Sequence, residues 1–532
     1  MFALAFLIGV YANGILLLGF ANLLTQPIIL LYTLCFIFLS FMYWYKFDER
    51  FSLTLVGREL QKLLKETPVA LILLAFACGI VLIGVLAPEI AFDSLWYHLT
   101  LPKIYLAEQG IVAIPGSLLY YSTMPKLGEL LYTAALALQS EILAKVIHAS
   151  FAVLTGVAIY CMAKQYLSRR FALIAVVIFL SNIVVLWEAT TAYIDLIRTF
   201  FEVMSFWGLV QFIKTREKKW LVESALLMGL SIETKFIAVT SLVVSLTLLF
   251  FSSKNLSISM RLVNSFYYLV LALLVPLPWF VFSFIHTGNP FYPLLSEHVT
   301  QLGQDILFFP QLLYDPILIF FQAADPISPL YLIIAPLFIL VRKNLPKDVH
   351  IFFAYSLLAI LVWTITPKIG GGRFLLPYLP VFSIAAAILV SVVQIKGIKR
   401  FALGAVVGVT LIALVYRGVA TWKYLPVVFG QETKDEFLKN HLDFKFGDFY
   451  DIDGEFSKQV KPGSTVLLYG FHNLYYVNVP FIHESWVKKG DTFEYIATQH
   501  TILPERFALW QPIYTNPTTG VTLYTGGIKW IY

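Results

Sequence analysis

Long apolar runs separated by short polar clusters dominate the first four-fifths of the chain. A helix needs about 20 mostly apolar residues to cross the hydrocarbon core of a bilayer. That rule predicts spans near 1–21, 27–45, 69–88, 142–163, 171–188, 192–213, 220–235, 236–252, 263–285, 327–341, 349–366, 374–394 and 401–418. The stretch 220–252 also fits one span plus a surface helix. The first run, MFALAFLIGVYANGILLLGFA, has no basic start and no polar sequence after it, so it reads as a retained span rather than a cleaved signal. From residue 419 the pattern changes: segments such as STVLLYG and GVTLYTGGIKWIY alternate like strands, with Gly and Pro between them.

The expected architecture is an α-helical polytopic membrane protein of about 13 transmembrane helices with a small C-terminal α/β extracytoplasmic domain. Its parts are two N-terminal spans and a loop (1–68), a transmembrane domain (69–418) with a long loop at 89–141, and the tail (419–532).

Composition agrees. The 532 residues are 59% hydrophobic and 13% charged, against about 25% charged in soluble proteins. No window is basic and polar enough to suggest nucleic-acid binding. Cys35, Cys78 and Cys161 all lie in apolar runs without metal spacing.

Charge adds an orientation. Lys and Arg collect in alternate loops: Lys46 to Lys65, Lys164 to Arg170, Lys214 to Lys219, Lys254 to Arg261, Arg342 to Lys347, and Lys396 to Arg400. These loops should be cytoplasmic. The N-terminus is then inside, and the tail lies in the periplasm or outside the cell.

Basic or acidic residues on the opposite face run against that bias and need a reason. In EIAFDSLWYHLTLPK, Asp93 follows the third span by about one helical turn, where it suits either a general base or an N-cap. Glu89 reads more simply as a solvated boundary carboxylate. His98 suits a phosphate or a sugar hydroxyl, or an ordinary interfacial histidine beside Trp96 and Tyr97. Lys103 suits phosphate as a point charge. Lys126 and Glu129, three apart after Pro125, share a helix face, as a surface pair or as a cation held beside a cavity.

Asp195 in TTAYIDLIRTFFE is an acid inside an apolar segment, with Arg198 in reach to neutralise it. Lys235 ends GLSIETK between two apolar runs. In TPKIGGGRFLLPYLP, three glycines allow close backbone approach, Arg373 offers a planar fork for phosphate, and Lys368 adds charge. GNPFYPL (288–294) makes a stiff aromatic lip or a helix end. Glu89, Asp93 and His98 are of the right type for a divalent metal ion, but their spacing fixes no geometry.

Taken together, FDSLWYHL, MPKLGELLYTAALAL, AYIDL, GLSIETKF, GNPFYPL and GGGRFLLPYLP, in that order, resemble the GT-C superfamily of membrane glycosyltransferases. The branch is that of protein O-mannosyltransferases and the lipid A aminoarabinose transferase, over roughly 70–415. The resemblance implies a polyprenyl-phosphate-linked sugar as donor, a lipid, glycan or protein as acceptor, and single-displacement inversion at the cell membrane. It makes Asp93 the prime catalytic residue and Asp195 the second acid, with Lys126 and Arg373 on the donor phosphate. Two departures stand out: Pro125 precedes Lys126 where the family has acid-Lys-Pro-Pro, and two spans precede the family's usual first helix. The rival expectation is a transporter or flippase for a lipid-linked sugar, whose charges should lie near the bilayer midplane.

Overall fold

The computed structural model describes the chain except residues 48–52, 139, 254–255, 295, 297–316, 321–325 and 365–367. Each predicted span corresponds to one helix or to a helix broken in two. Among the described residues, seven helices are long and apolar enough to cross a membrane, and an eighth if one bent pair is a single span. That pair, Ile258–Leu274 and Leu277–Thr287, bends by 63° around Pro276. Proline removes a backbone donor and clashes with the preceding turn. The break between Leu330–Ile334 and Leu337–Val341 likewise falls beside Pro336. Between Arg169–Leu180 and Ile183–Glu188, the Asn182 side chain donates to the carbonyls of Ile178 and Phe179. It competes there with the helical ladder.

The stretch 220–252 resolves into two packed helices, Lys218–Thr234 and Val239–Ser252. A short 3₁₀ turn, Phe236–Ala238, lies between them, with Lys235 at the break. Both helices bury residues in the bundle, so the surface-helix alternative falls. Helix Asp195–Thr215 is the central element, buried along most of its length. Helix Phe2–Phe20 packs into the same bundle: Phe2 meets Trp207 and Trp220 at 5.4 and 5.2 Å, and Asn13 donates to Glu233 at 3.0 Å. Helix Gln26–Phe47 lies outside it, with Leu31, Phe38 and Phe41 exposed as lipid-facing residues are.

The tail contains a five-stranded sheet of β1 (Val466–Tyr469), β2 (Phe481–His483), β3 (Thr492–Gln499), β4 (Gln511–Asn516) and β5 (Val521–Ile531). The order is β2-β1-β3-β5-β4. β1 runs parallel to β2 and β3, while β5 is antiparallel to β3 and β4. The loop after β1, FHNLYY, docks on the loop that follows helix Pro68–Leu86. There Tyr475 N–H donates to Leu95 O at 3.3 Å and Tyr476 OH donates to Glu89 O at 2.8 Å. Lys434 pairs with Glu141 at 2.7 Å beside it. The tail therefore sits on the end of the bundle that carries Asp93.

Candidate functional site

Asp93 stands immediately before a π-helical turn, Ser94–His98, in which Leu99 N–H reaches Ser94 O at 2.9 Å. Its carboxylate caps no backbone group. Instead Oδ2 accepts from Arg373 Nη1 at 2.6 Å and from Tyr97 OH at 3.3 Å. The Asp93 N–H points to Tyr193 OH at 3.3 Å. The N-cap role, one of the two the sequence allowed, is therefore absent.

Arg373 reaches Asp93 from the turn Lys368–Phe374. Gly371 within it has φ +53°, a left-handed conformation that glycine adopts without a Cβ penalty. The guanidinium lies over the Tyr193 ring at 5.1 Å and near Phe374 at 5.9 Å. Burial opposes its charge, but Asp195 and Asp93 outweigh burial and raise its pKa. The next turn, Leu376–Tyr378, is anchored where Ser241 donates to Tyr378 OH at 3.0 Å.

Asp195 opens helix Asp195–Thr215, where the helix dipole favours an anion. Its oxygens accept from Lys235 Nζ at 2.8 and 3.0 Å. Arg198 is turned away to Glu202 at 2.6 Å, so it does not neutralise Asp195 directly. Lys235 also approaches the Phe374 ring at 5.5 Å. Phe374 thus lies between the two cations, and the pairs Asp93–Arg373 and Asp195–Lys235 form one cluster.

A second group adjoins it. Lys126 and Glu129 are buried rather than a surface pair, 3.9 Å apart at closest. Glu129 Oε1 lies 2.8 Å from His98 Nδ1. Lys126 Nζ lies 5.8 and 5.7 Å from the ring centres of Tyr97 and Tyr121. Burial lowers the pKa of both Lys126 and His98. His98 is fully buried, which overturns the interfacial-belt alternative.

Two expectations change. Glu89 is not solvated: it is 1% exposed, and its oxygens accept from Ile90, Ala91 and Ala192 N–H at 2.9, 2.7 and 2.7 Å. It ties the Asp93 loop to the turn before Asp195, and burial raises its pKa. Lys103 is not part of the cluster. Its amine donates to Tyr475 O, Val477 O and Asn478 Oδ1 at 2.6, 2.6 and 3.1 Å, so it holds the tail rather than a phosphate. Burial pushes its pKa down to about 8. The Lys368 side chain lies outside the described residues.

Glu89, Asp93 and His98 face separate partners. Among the described residues no three His, Cys, Asp or Glu side chains converge as metal ligands.

Several residues at the site gave no sequence signal beyond their type. Tyr97, read only as an aromatic neighbour of His98, and Tyr193, which nothing in the sequence singled out, both hydrogen-bond Asp93. His148 holds the turn before Asp195 from below: Nδ1 meets Glu188 O and Thr191 O at 2.9 Å, and Nε2 accepts from Leu196 N–H at 3.2 Å. His472 of the tail stacks on Phe92 at 4.9 Å and leans on Trp96 at 4.7 Å, bringing the tail beside Asp93.

Residues 127–282 match the family described as dolichyl-phosphate-mannose-protein mannosyltransferase. The matched segment carries Glu129, Asp195 and Lys235. The fold is similar to that of ArnT from Cupriavidus metallidurans bound to undecaprenyl phosphate, at 12% identity and a TM-score of 0.58, covering 86% of this chain and 98% of that one. The apo form of that ArnT gives the same identity and TM-score over 85% and 97% of the two chains. An oligosaccharyltransferase from Archaeoglobus fulgidus, in complex with Zn and sulfate, is 13% identical with a TM-score of 0.45 over 85% and 73%. No curated protein sequence matches the chain. The chain thus shares the fold seen in ArnT, and its residues 127–282 match the dolichyl-phosphate-mannose-protein mannosyltransferase family.

Proposed function

We propose that the protein is an inverting glycosyltransferase. It moves a hexosyl or pentosyl group from a polyprenyl-phosphate donor to a lipid, glycan or protein acceptor at the outer face of the cell membrane. The observation that carries this reading is the meeting of Asp93, Arg373, Asp195 and Lys235, drawn from separate segments, at the tail end of a bundle of apolar helices. A site placed there serves one substrate in the bilayer and another in water.

The chemistry follows from charge. The acceptor oxygen attacks the anomeric carbon and gives its proton to Asp93. The bond from that carbon to the phosphate oxygen breaks on the opposite side, and its electron pair leaves with the polyprenyl phosphate. Such a leaving group needs no general acid. It needs fixed positive charge, which Arg373, Lys235 and Lys126 supply. Arg373 pairs with Asp93 at 2.6 Å, which puts its guanidinium beside the base, and the planar fork of a guanidinium suits phosphate oxygens. Asp195 holds Lys235 in position and Glu129 does so for Lys126, at a longer distance. No step here requires a metal ion.

Purified protein given labelled polyprenyl-phosphate sugars should release polyprenyl phosphate and form a new glycoside on thin-layer chromatography. The transporter or flippase reading draws on the Arg198–Glu202 pair, which lies deeper in the bundle than Asp195. It predicts that the donor's glycosidic bond stays intact while the lipid crosses the membrane, and that outcome would replace the enzyme by a carrier.

The orientation rests on the alternation of basic loops. A reporter fused after Tyr532 should be active outside the cytoplasm. Activity confined to the cytoplasm would place the cluster on the inner face.

A further inference from the structure

We propose that His98 is a specificity-determining residue that accepts a hydrogen bond at Nε2 from a hydroxyl of the donor's sugar. This deepens the glycosyltransferase reading and rests on it. The His98 ring is fully buried, and Nε2 has no hydrogen-bond partner among the described residues. A buried polar atom left unpaired is costly, so such an atom in a site calls for a partner that arrives with the substrate.

The position is that of a ligand contact. The ring packs against Tyr97 at 4.1 Å and Tyr193 at 5.7 Å between centres. These are the two tyrosines that hydrogen-bond Asp93. The charges of Asp93 and Lys235 both act on the imidazole. His98 therefore adjoins both the tyrosines that hold Asp93 and the Lys126–Glu129 pair, in reach of a sugar bound at this cluster.

The chemistry of the contact follows from Glu129. An ionised carboxylate only accepts, so at 2.8 Å it accepts a hydrogen bond from Nδ1–H and fixes that tautomer. Burial lowers the imidazole's pKa and so favours the neutral ring. Nε2 is then an acceptor alone. Phosphate oxygens are also acceptors and offer it nothing, whereas a sugar hydroxyl donates. The broader expectation that His98 binds phosphate or hydroxyl narrows to hydroxyl. A site built to pair with a hydroxyl rejects the analogue that lacks it far more strongly than an apolar pocket does.

The test uses an undecaprenyl-phosphate hexose turned over by wild type, with its 2-, 3-, 4- and 6-deoxy analogues. His98→Phe keeps a flat ring but removes the acceptor, and His98→Gln returns an acceptor oxygen near the Nε2 position. His98→Phe should lower kcat/KM about ten- to a hundred-fold for the parent donor. The loss should be smallest for one deoxy analogue, the one lacking the hydroxyl that is read. His98→Gln should recover part of the loss. A loss equal across all donors, or no loss, overturns the proposal.

A measurement on wild type guards against a variant that fails to fold. In full-length protein carrying ¹⁵N-histidine, the Nε2 resonance of His98 should move when the parent donor is added and stay in place with plain undecaprenyl phosphate. Movement with both, or with neither, overturns it. If wild type neither binds nor turns over any polyprenyl-phosphate sugar, the glycosyltransferase reading falls and this contact with it. If wild type is active and His98→Phe is indifferent to every hydroxyl, only the contact falls.

Discussion

Asp93→Asn should lower sugar transfer by about 10²- to 10⁴-fold, the usual loss when general-base help is removed. The substitution is nearly isosteric, so the variant should insert, purify and bind donor as wild type does. The structure sharpens the expectation. Asp93 makes no cap, so the variant loses no helix start, and its amide oxygen can still accept from Tyr97 and Arg373. What it loses is a site for the acceptor's proton. Initial rates at saturating donor, with acceptor varied, measure the effect. Turnover near that of wild type would reduce Asp93 to a counter-ion for Arg373.

Arg373→Ala should weaken donor binding about ten- to a hundred-fold, because a charged hydrogen bond contributes roughly 1.5–3 kcal/mol. Arg373→Lys should restore only part, since lysine keeps the charge and loses the planar two-pronged contact. Removing the guanidinium also leaves Asp93 without its cation, so turnover should fall further than affinity. Titrating a polyprenyl-phosphate sugar against wild type and both variants separates this from the alternative. An arginine that serves only to neutralise Asp93 predicts equal donor affinity in all three proteins. Lys126 and Lys235 would then be the cations that hold the phosphate. A side chain at Gly371 should mimic part of the alanine effect by straining the turn that aims Arg373.

Much of this was legible in the chain. Apolar run length is a local property, so it placed the apolar helices, and the return of strand-like alternation marked the tail near residue 419. The cost of a charge at a membrane boundary is also local, and it singled out Asp93, Lys126, Asp195, Lys235 and Arg373 without knowledge of their partners. Where two readings competed within one segment, the sequence left both open. Asp93 as cap or base, Asp195 with or without Arg198, and residues 220–252 as one span or two each depended on neighbours far along the chain.

Tertiary structure decided the pairings, because an ion pair is set by distance in space and not by spacing. Arg373 comes to Asp93 across 280 positions, and Lys235 to Asp195 across 40. Lys103 carries the same charge as Lys235, yet the tail's carbonyls surround it and remove it from the site. Glu89, four residues before Asp93, was read as solvated because its sequence neighbourhood is a boundary. Only the approach of Ala192 N–H shows that it is buried and bonded. His98 shows the division most clearly. Its residue type and loop named it a candidate. The tautomer it holds, and so whether it can meet phosphate or hydroxyl, was set by Glu129 arriving from helix Leu127–Ala137. Hydrophobicity and boundary charge are written residue by residue, and so the sequence alone determined where the apolar helices lie and which charged residues are candidates. Proximity between segments arises only when the helices pack, and so the fold alone determined which of those charges meet.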